Sequence, residues 1–331
     1  MRFMTDKHVR LLTVLWLSLM TLPARADNEF FQRGNWQDPA IEFRIDMQPL
    51  QENGLTGELY LPKGAVHRPA LLALGACTQP TLRGMAQGMA DHGYPTLALF
   101  YCGPGTSRPD LRETPIEIFK AATDWLAQQP SVDAAHMGVI GASAGSTAAF
   151  LAAANDPRLK VVVAIVPGSV VWEAPVPGVP AASMYAVGGI PLPFVHGPDG
   201  TLPKEVLLAK MRESLRTPPS GAIIPVEKIK GAVLLASGQE DRSWPSATMA
   251  DQIATRLKDK GFTFPFENDV YPDAGHGFFA AHDSSDPWFA ALYQRLMTPA
   301  AYPEMGGTTE GNAAAQRDSW PKVLSFLQKY L

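Results

Sequence analysis

The chain has 331 residues, of which 46% are hydrophobic and 18% are charged. This composition argues against a disordered chain, and the 28 glycines and 30 prolines favour a loop-rich α/β protein over a helical bundle. The formal net charge is only -4 and no run of lysine or arginine exceeds two residues, which argues against nucleic acid as a partner. A chain of this length forms one large globular domain or two small ones.

Residues 1–26 have the pattern of a secretory signal peptide. They begin with three basic side chains, Arg2, Lys7 and Arg10. The apolar segment Leu11–Leu22 follows, and Ala24-Arg25-Ala26 supplies the small residues that precede a cleavage site. We expect cleavage after Ala26 and a periplasmic or secreted mature protein without a membrane span. An uncleaved anchor is the alternative, but this apolar segment is shorter than the ~20 residues that span a bilayer.

The mature chain opens with two segments that alternate apolar and polar residues, Ile41–Leu50 and Gly54–Leu61. They predict an antiparallel hairpin with one solvated face. Continuous apolar runs, typical of strands buried on both faces, then follow. These runs are Pro69–Gly75, Pro95–Tyr101, Gly138–Ile140, Lys160–Val166 and Gly231–Ser237, before a last short strand at Phe266–Tyr271.

Helical segments alternate with these strands. They are Met85–Gly93, Ile116–Gln129, Ser146–Ala154, Lys204–Arg216, Ser246–Gly261 and Trp320–Leu331. Ser246 is expected to cap its helix and Gly261 to end it. The alternation predicts one doubly wound, mostly parallel sheet with an antiparallel start and helices on both faces.

Two long segments interrupt the alternation, at about residues 167–226 and 278–319. Insertions of this length at the carboxyl edge of a sheet usually form lids or pockets, although a plain surface loop remains the alternative for each. We therefore predict a single domain over residues 27–331 that carries both insertions. Candidate pocket residues in the first insertion are Trp172, Met184, Tyr185 and Phe194.

The segment Gly141-Ala142-Ser143-Ala144-Gly145 fits the G-x-S-x-G pattern of a nucleophile elbow. A predicted strand precedes it and an alanine-rich helix follows, so Ser143 lies on the sharp turn that the pattern requires. An ordinary glycine-rich turn is the alternative, and partner residues decide between the two.

A serine nucleophile needs a base and an orienting carboxylate, in the chain order serine, acid, histidine. His276 follows the last predicted strand between two glycines and is preferred over His196 and His282. Asp241 follows the penultimate strand and is preferred over the adjacent Glu240.

Other carboxylates and metal-ligand patterns are weaker signals. Asp273, near His276, is expected to serve a turn or cap. No metal-ligand spacing or phosphate-binding loop is present in the sequence, so neither a metal nor a cofactor is implied.

The oxyanion of a tetrahedral intermediate needs two backbone donors, one of them from the residue after the nucleophile. That residue is Ala144, and the second donor is expected after the third strand, from the N–H of Cys77. Cys102 ends the fourth strand. If these strands are neighbours, an oxidising compartment allows a Cys77–Cys102 disulfide; two free buried thiols are the alternative.

Several motifs in this order resemble the C-terminal domain of the acyl-CoA thioester hydrolase and bile acid-CoA:amino acid N-acyltransferase family, in a bacterial exported form. The resemblance covers about Leu71–Leu331 and rests on five segments, Gly141–Gly145, Val166–Trp172, Ser237–Ser246, Tyr271–His276 and Gly306–Trp320. It implies a dienelactone-hydrolase-like α/β-hydrolase fold. It also assigns the nucleophile, acid and base to Ser143, Asp241 and His276.

These residues predict a serine hydrolase of the carboxylesterase or thioesterase class (EC 3.1) that cleaves a small-molecule acyl ester or thioester. The amidating members of the family use cysteine, so Ser143 favours transfer to water. An acyltransferase or peptidase with the same three residues, and a non-catalytic exported binding protein, are the alternatives. The acyl chain, the leaving group and the oligomeric state are not predicted.

Overall fold

The computed structural model describes residues 45–77, 79–176, 178–278 and 302–331. The predicted signal peptide, His282 and most of the second predicted insertion lie outside these ranges. Among the described helices, none is long and apolar enough to cross a membrane.

The strands form one large and one small sheet. In chain order they are β1 (Ile45–Glu52), β2 (Leu55–Pro62), β3 (Arg68–Leu74), β4 (Thr96–Leu99), β5 (Thr114–Pro115), β6 (Val132–Ala142), β7 (Leu159–Ile165), β8 (Tyr185–Val187), β9 (Ile190–Pro191), β10 (Ala232–Gly238) and β11 (Phe266–Tyr271). The large sheet has the order β1-β2-β4-β3-β6-β7-β10-β11, and β5-β8-β9 form the small one. The pairs β1–β2 and β2–β4 are antiparallel, whereas the other pairs of the large sheet are parallel. The predicted hairpin and the mostly parallel sheet are therefore confirmed.

Helices cover both faces of the large sheet. They are α1 (Gln79–Asp91), α2 (Glu117–Leu126), α3 (Ala144–Asn155), α4 (Lys204–Ser214), α5 (Ser246–Asp259), α6 (Tyr302–Met305) and α7 (Thr309–Tyr330). Phe119 of α2, Phe150 of α3 and Leu257 of α5 belong to the core on one face. Met89 of α1 and Phe326 of α7 belong to the core on the other face. This is the doubly wound arrangement that the alternation predicts.

The central strands end together at one edge of the sheet. Leu74 at the end of β3 pairs with Gly141 of β6, and Ala142 of β6 pairs with Ile165 of β7. These strands are continuous apolar runs because helices bury them on both sides. Segments that follow their carboxyl ends are therefore brought together at this edge, as in other open α/β sheets.

Several helix termini differ from the prediction; α1, for example, begins at Gln79 and not at Met85. The last helix begins at Thr309, well before Trp320, and contains Pro321. The side chain of Thr308 caps it by accepting a hydrogen bond from the Gly311 N–H at 2.9 Å. The prediction that Ser246 caps α5 is wrong, because Pro245 occupies the cap position and makes no side-chain cap bond. Ser246 is the first helical residue, and its hydroxyl bonds to another residue, described below.

Candidate active site

Ser143 lies on the turn between β6 and α3, with φ 56° and ψ -128°. A non-glycine residue with positive φ is strained, and such strain is typical of functional sites. The glycines on either side permit the turn, since a Cβ on Gly141 would overlap the carbonyl oxygen of Gly145. A Cβ on Gly145 would overlap that of Leu74. The elbow is therefore pressed against the end of β3.

Ser143, His276 and Asp241 form a continuous hydrogen-bonded chain. His276 Nε2 is 3.0 Å from Ser143 Oγ, and His276 Nδ1 is 2.9 Å from Asp241 Oδ2. His276 is 7% exposed and Asp241 2%, so water has little access to either. Because a carboxylate accepts at Nδ1, that nitrogen carries the proton and Nε2 is left to accept from the serine hydroxyl.

The Asp241 carboxylate is held by donors besides the imidazole. Oδ1 accepts from the N–H groups of Ser243 at 2.9 Å and Trp244 at 3.2 Å. Oδ2 also accepts from the Ser246 hydroxyl at 2.6 Å. The neighbouring Glu240 side chain points into solvent. The structure thus brings Asp241, and not Glu240, to His276.

Trp244 connects the loop that carries Asp241 (residues 239–245, the acid loop) to the segment after β7, next to the elbow. Its indole N–H donates to the carbonyl of Val166 at 3.2 Å, and its ring packs edge-on against His276 with centroids 6.0 Å apart. Val166 has φ 42°, which is exceptional for a β-branched residue. The Ser143 N–H donates to the carbonyl of Ile165, the residue before Val166, at 3.0 Å. The strained positions 143 and 166 are therefore neighbours at the sheet edge.

A third loop, residues 305–308, lies against the acid loop and against residues 272–276, the histidine loop that follows β11. Gly306 forms an antiparallel bridge with Asp241, and Gly307 forms one with Ala274. Their φ values are 79° and 75°, and a Cβ on Gly306 would overlap the carbonyl oxygen of Glu240. Only glycine allows this close approach of backbone to backbone.

The side chain of Asn312 in α7 forms hydrogen bonds to the histidine loop and to the loop at residues 305–308. This role was not predicted from the sequence. Asn312 Oδ1 accepts from the Gly275 N–H at 2.7 Å, and its Nδ2 donates to the Gly306 carbonyl at 3.3 Å. The side chain is buried at 1% exposure. One amide therefore connects the residue before His276 to the loop beside Asp241. The only signal in the sequence was the segment Gly306–Trp320, which carried part of the resemblance.

On the other side of Ser143, the predicted Cys77–Cys102 disulfide is confirmed, with Cα atoms 5.0 Å apart. β3 and β4 are indeed adjacent, so their carboxyl ends meet. The alternative of two free thiols is excluded. Cys77 lies three residues after the end of β3, in the loop whose first residue, Gly75, is next to the elbow glycine Gly145. Its role as the second oxyanion donor stays a prediction.

The four candidate pocket residues lie within the first insertion and are largely buried. Trp172 and Met184 are 3% and 5% exposed, and the Met184 N–H donates to the Trp172 carbonyl at 3.2 Å. Tyr185 is fully buried, and its hydroxyl donates to the Ala144 carbonyl at 2.8 Å. Phe194 packs edge-on against the ring of His196, 4.8 Å between centroids. Their role as a substrate pocket stays a prediction.

The remaining candidate side chains stand apart from this chain of hydrogen bonds. His196 is exposed and lies 3.2 Å from Glu173, another residue of the first insertion. The Asp273 side chain is exposed, and its backbone carbonyl accepts from the Thr308 N–H at 3.0 Å. In the described part of the chain, no group of three or more histidine, cysteine or acidic side chains is arranged to hold a metal ion.

The strand order, the elbow and the hydrogen-bonded serine, histidine and carboxylate define a protein with an α/β-hydrolase fold. Residues 114–331 match the family described as BAAT / Acyl-CoA thioester hydrolase C terminal. The chain therefore belongs to this family, as the sequence motifs predict. Residues 29–180 also match the X-Pro dipeptidyl-peptidase (S15) family.

Two mouse proteins are among its relatives. Acyl-coenzyme A thioesterase 3 of Mus musculus is 25% identical over 287 residues, which are 86% of this chain and 63% of the relative. Acyl-coenzyme A amino acid N-acyltransferase 1 of Mus musculus is 26% identical over 329 residues, which are 96% of this chain and 72% of the relative. The chain thus spans less than two thirds of the length of the thioesterase. These relatives support an enzyme of the hydrolase type.

A solved structure shows the same fold. It is a dienelactone hydrolase candidate from Klebsiella pneumoniae, with a TM-score of 0.56 at 17% identity. The alignment covers 86% of this chain and 99% of that protein. At this identity the likeness defines the fold alone.

Proposed function

We propose that this protein is a serine hydrolase that cleaves an acyl ester or thioester through an acyl-enzyme. The observation that carries the proposal is the hydrogen-bonded chain from Ser143 through His276 to Asp241. A serine hydroxyl is a weak nucleophile, and it becomes effective when a positioned base removes its proton. Family membership supports an acyl group as the part of the substrate that is transferred.

The reaction follows from the positions of these atoms. Ser143 Oγ attacks the acyl carbonyl while His276 Nε2 takes the hydroxyl proton, and Asp241 stabilises the resulting imidazolium. The N–H groups of Ala144 and Cys77 are the proposed donors to the oxyanion. His276 then gives its proton to the leaving alcohol or thiol. Water, activated by the same imidazole, finally releases the acyl group and regenerates Ser143.

The test is the Ser143→Ala variant, assayed on p-nitrophenyl esters and on acyl thioesters of graded chain length. We expect kcat to fall by roughly 10⁴-fold or more, because the nucleophile is lost while the fold is kept. Ser214→Ala is the matched control, since this hydroxyl on α4 bonds only to the Lys210 carbonyl at 3.1 Å. Full activity in Ser143→Ala would refute the proposal.

A fluorophosphonate probe gives a second readout that requires no knowledge of the substrate. It should label the wild type at Ser143 and leave Ser143→Ala unlabelled. A binding protein without turnover would leave both unlabelled.

Acyl transfer to an amine is the second candidate, favoured by the similarity to the mouse N-acyltransferase. Product analysis in the presence of amino acid acceptors separates the two: an acyl amide indicates transfer, whereas a free acid indicates hydrolysis. The panel of thioesters and esters also tests whether a coenzyme A leaving group is preferred.

A further inference from the structure

Two buried tyrosines from distant segments meet beside the elbow. Tyr101 follows β4 and Tyr185 lies on β8, in the first insertion; they are 3% and 0% exposed. The Tyr101 hydroxyl donates to the Gly75 carbonyl, and the Tyr185 hydroxyl donates to the Ala144 carbonyl at 2.8 Å. Both rings pack edge-on against Phe119, at centroid distances of 5.2 and 6.3 Å.

These two carbonyls belong to the two backbone segments that hold the proposed oxyanion donors. Gly75 begins the loop that contains Cys77, and Ala144 is the residue after the nucleophile. The segments touch one another, since a Cβ on Gly145 would overlap the carbonyl of Leu74 and the Cα of Gly75. The Tyr101 hydroxyl therefore binds the segment at Gly75, and the Tyr185 hydroxyl binds the adjacent segment at Ala144.

A hydrogen bond to a carbonyl also fixes an amide. In a trans peptide the C=O and N–H point in opposite directions, so holding the Gly75 oxygen sets the direction of the Ala76 N–H, the amide directly before that of the proposed donor Cys77. At Ala144 both adjoining peptides are held. The Ser143 carbonyl accepts from the Ser146 hydroxyl at 2.6 Å and its N–H at 2.9 Å, and Tyr185 holds the Ala144 carbonyl.

The two phenols are suited to remain donors. Burial raises the pKa of Tyr101 and that of Tyr185 far above the usual value for a phenol. Both hydroxyls therefore keep their protons at neutral pH and can donate to the two carbonyls.

We propose that Tyr101 and Tyr185 are positioning residues that hold the backbone peptides next to the two proposed donors to the oxyanion, and thereby the spacing of those donors. This inference rests on the proposed function, because it concerns the same acyl-transfer step. Negative charge on the acyl oxygen develops only toward the transition state, so the two hydroxyls support kcat more than substrate binding. Because Tyr185 lies in the first insertion, that insertion would also help to position the residues that react.

The experiment uses Tyr101→Phe and Tyr185→Phe, which keep the rings in the core and remove only the hydroxyls. Tyr60→Phe is the matched control, because this buried tyrosine on β2 donates to Glu58 Oε2 at 2.7 Å, away from the elbow. For each variant we measure kcat and KM on a p-nitrophenyl ester, inhibition by an aryl boronic acid, and the rate of fluorophosphonate labelling. The boronic acid forms a tetrahedral adduct with the serine and therefore reports on the oxyanion site.

We expect each hydroxyl deletion near the elbow to lower kcat roughly 10- to 100-fold with KM within about twofold, because small misplacements in a reactive geometry have effects of this size. Boronic acid affinity and the labelling rate should fall in parallel, whereas Tyr60→Phe should leave all three unchanged. If Tyr101→Phe and Tyr185→Phe lower only the unfolding temperature and keep kcat, the tyrosines merely pack the core and the inference is wrong. That result leaves the proposed function intact, which fails only if Ser143→Ala stays active.

Discussion

The two sides of Ser143 are built in different ways. On the acid side, three glycine-rich loops interlock, and backbone and side-chain donors converge on the Asp241 carboxylate. On the oxyanion side, a disulfide and two phenols hold the backbone. The acid side is held by hydrogen bonds and packing, whereas the opposite side includes a covalent link.

The difference matches what each side has to hold. A buried carboxylate needs many donors, because a charge without partners in the interior is costly. An oxyanion site needs amides that point in fixed directions before the charge arrives. Donors to Asp241 satisfy the first requirement. Bonds to the carbonyls of Gly75 and Ala144 serve the second, by fixing the peptide planes next to the proposed donors Cys77 and Ala144.

The largest loss of activity is expected from Asp241→Asn, which changes the acid side of the site. The amide keeps the shape but loses the charge and favours the wrong imidazole tautomer, so we expect kcat to fall about 10⁴-fold. Steady-state kinetics on the ester that the wild type cleaves measures the effect. Glu240→Gln is the matched control on the exposed neighbour and should be neutral. Equal losses in the two variants would contradict the assignment of the acid.

Removing the covalent link tests the other side. The cysteines of the bridge are 25 residues apart, and the entropy of closing such a loop corresponds to roughly 3–4 kcal/mol. We expect the Cys77→Ala, Cys102→Ala double variant to lose stability of this order in urea unfolding, with the wild type in reductant as the matched sample. At temperatures where it stays folded, kcat should change less than in Tyr185→Phe. An unchanged midpoint of unfolding would show that the bridge is dispensable.

The smallest effect is expected from Ser246→Ala, which removes one donor from the Asp241 carboxylate. A hydrogen bond to a charged group contributes about 1.5–3 kcal/mol, and we expect a loss near the low end in stability together with a decrease in kcat of roughly tenfold. Ser243→Ala is the control, because that hydroxyl donates to Met305 Sδ at 3.6 Å and not to the Asp241 carboxylate. If the two serine variants behave alike, the Ser246 hydroxyl does not support the acid.

The sequence predicted those parts of the fold that depend on long apolar runs. The run at Gly231–Ser237 differs from β10 by one residue at each end, and Phe266–Tyr271 matches β11. Chain order and small neighbours were enough to bring Ser143 and His276 together, since both follow strands whose carboxyl ends share one edge.

Other features left no periodic signal. The strands β5, β8 and β9 have only two or three residues each, too few to show an alternation. The predicted last helix begins at Trp320, although the cap at Thr308 lies a dozen residues earlier. The contacts of Asn312 and Tyr185 depend on tertiary proximity between distant segments, which a single sequence does not encode locally.

The strained backbone at Ser143 and Val166 has a consequence for heat tolerance. Each residue is held in a left-handed region that costs about 1–3 kcal/mol, and the rest of the fold offsets that cost. Glycine would relieve the strain at either position, but at position 143 it would also delete the nucleophile. Resistance to heat and the capacity for turnover therefore make opposite demands on the same residue. Improvements in durability that preserve catalysis have to come from positions other than Ser143, with Val166 as one candidate.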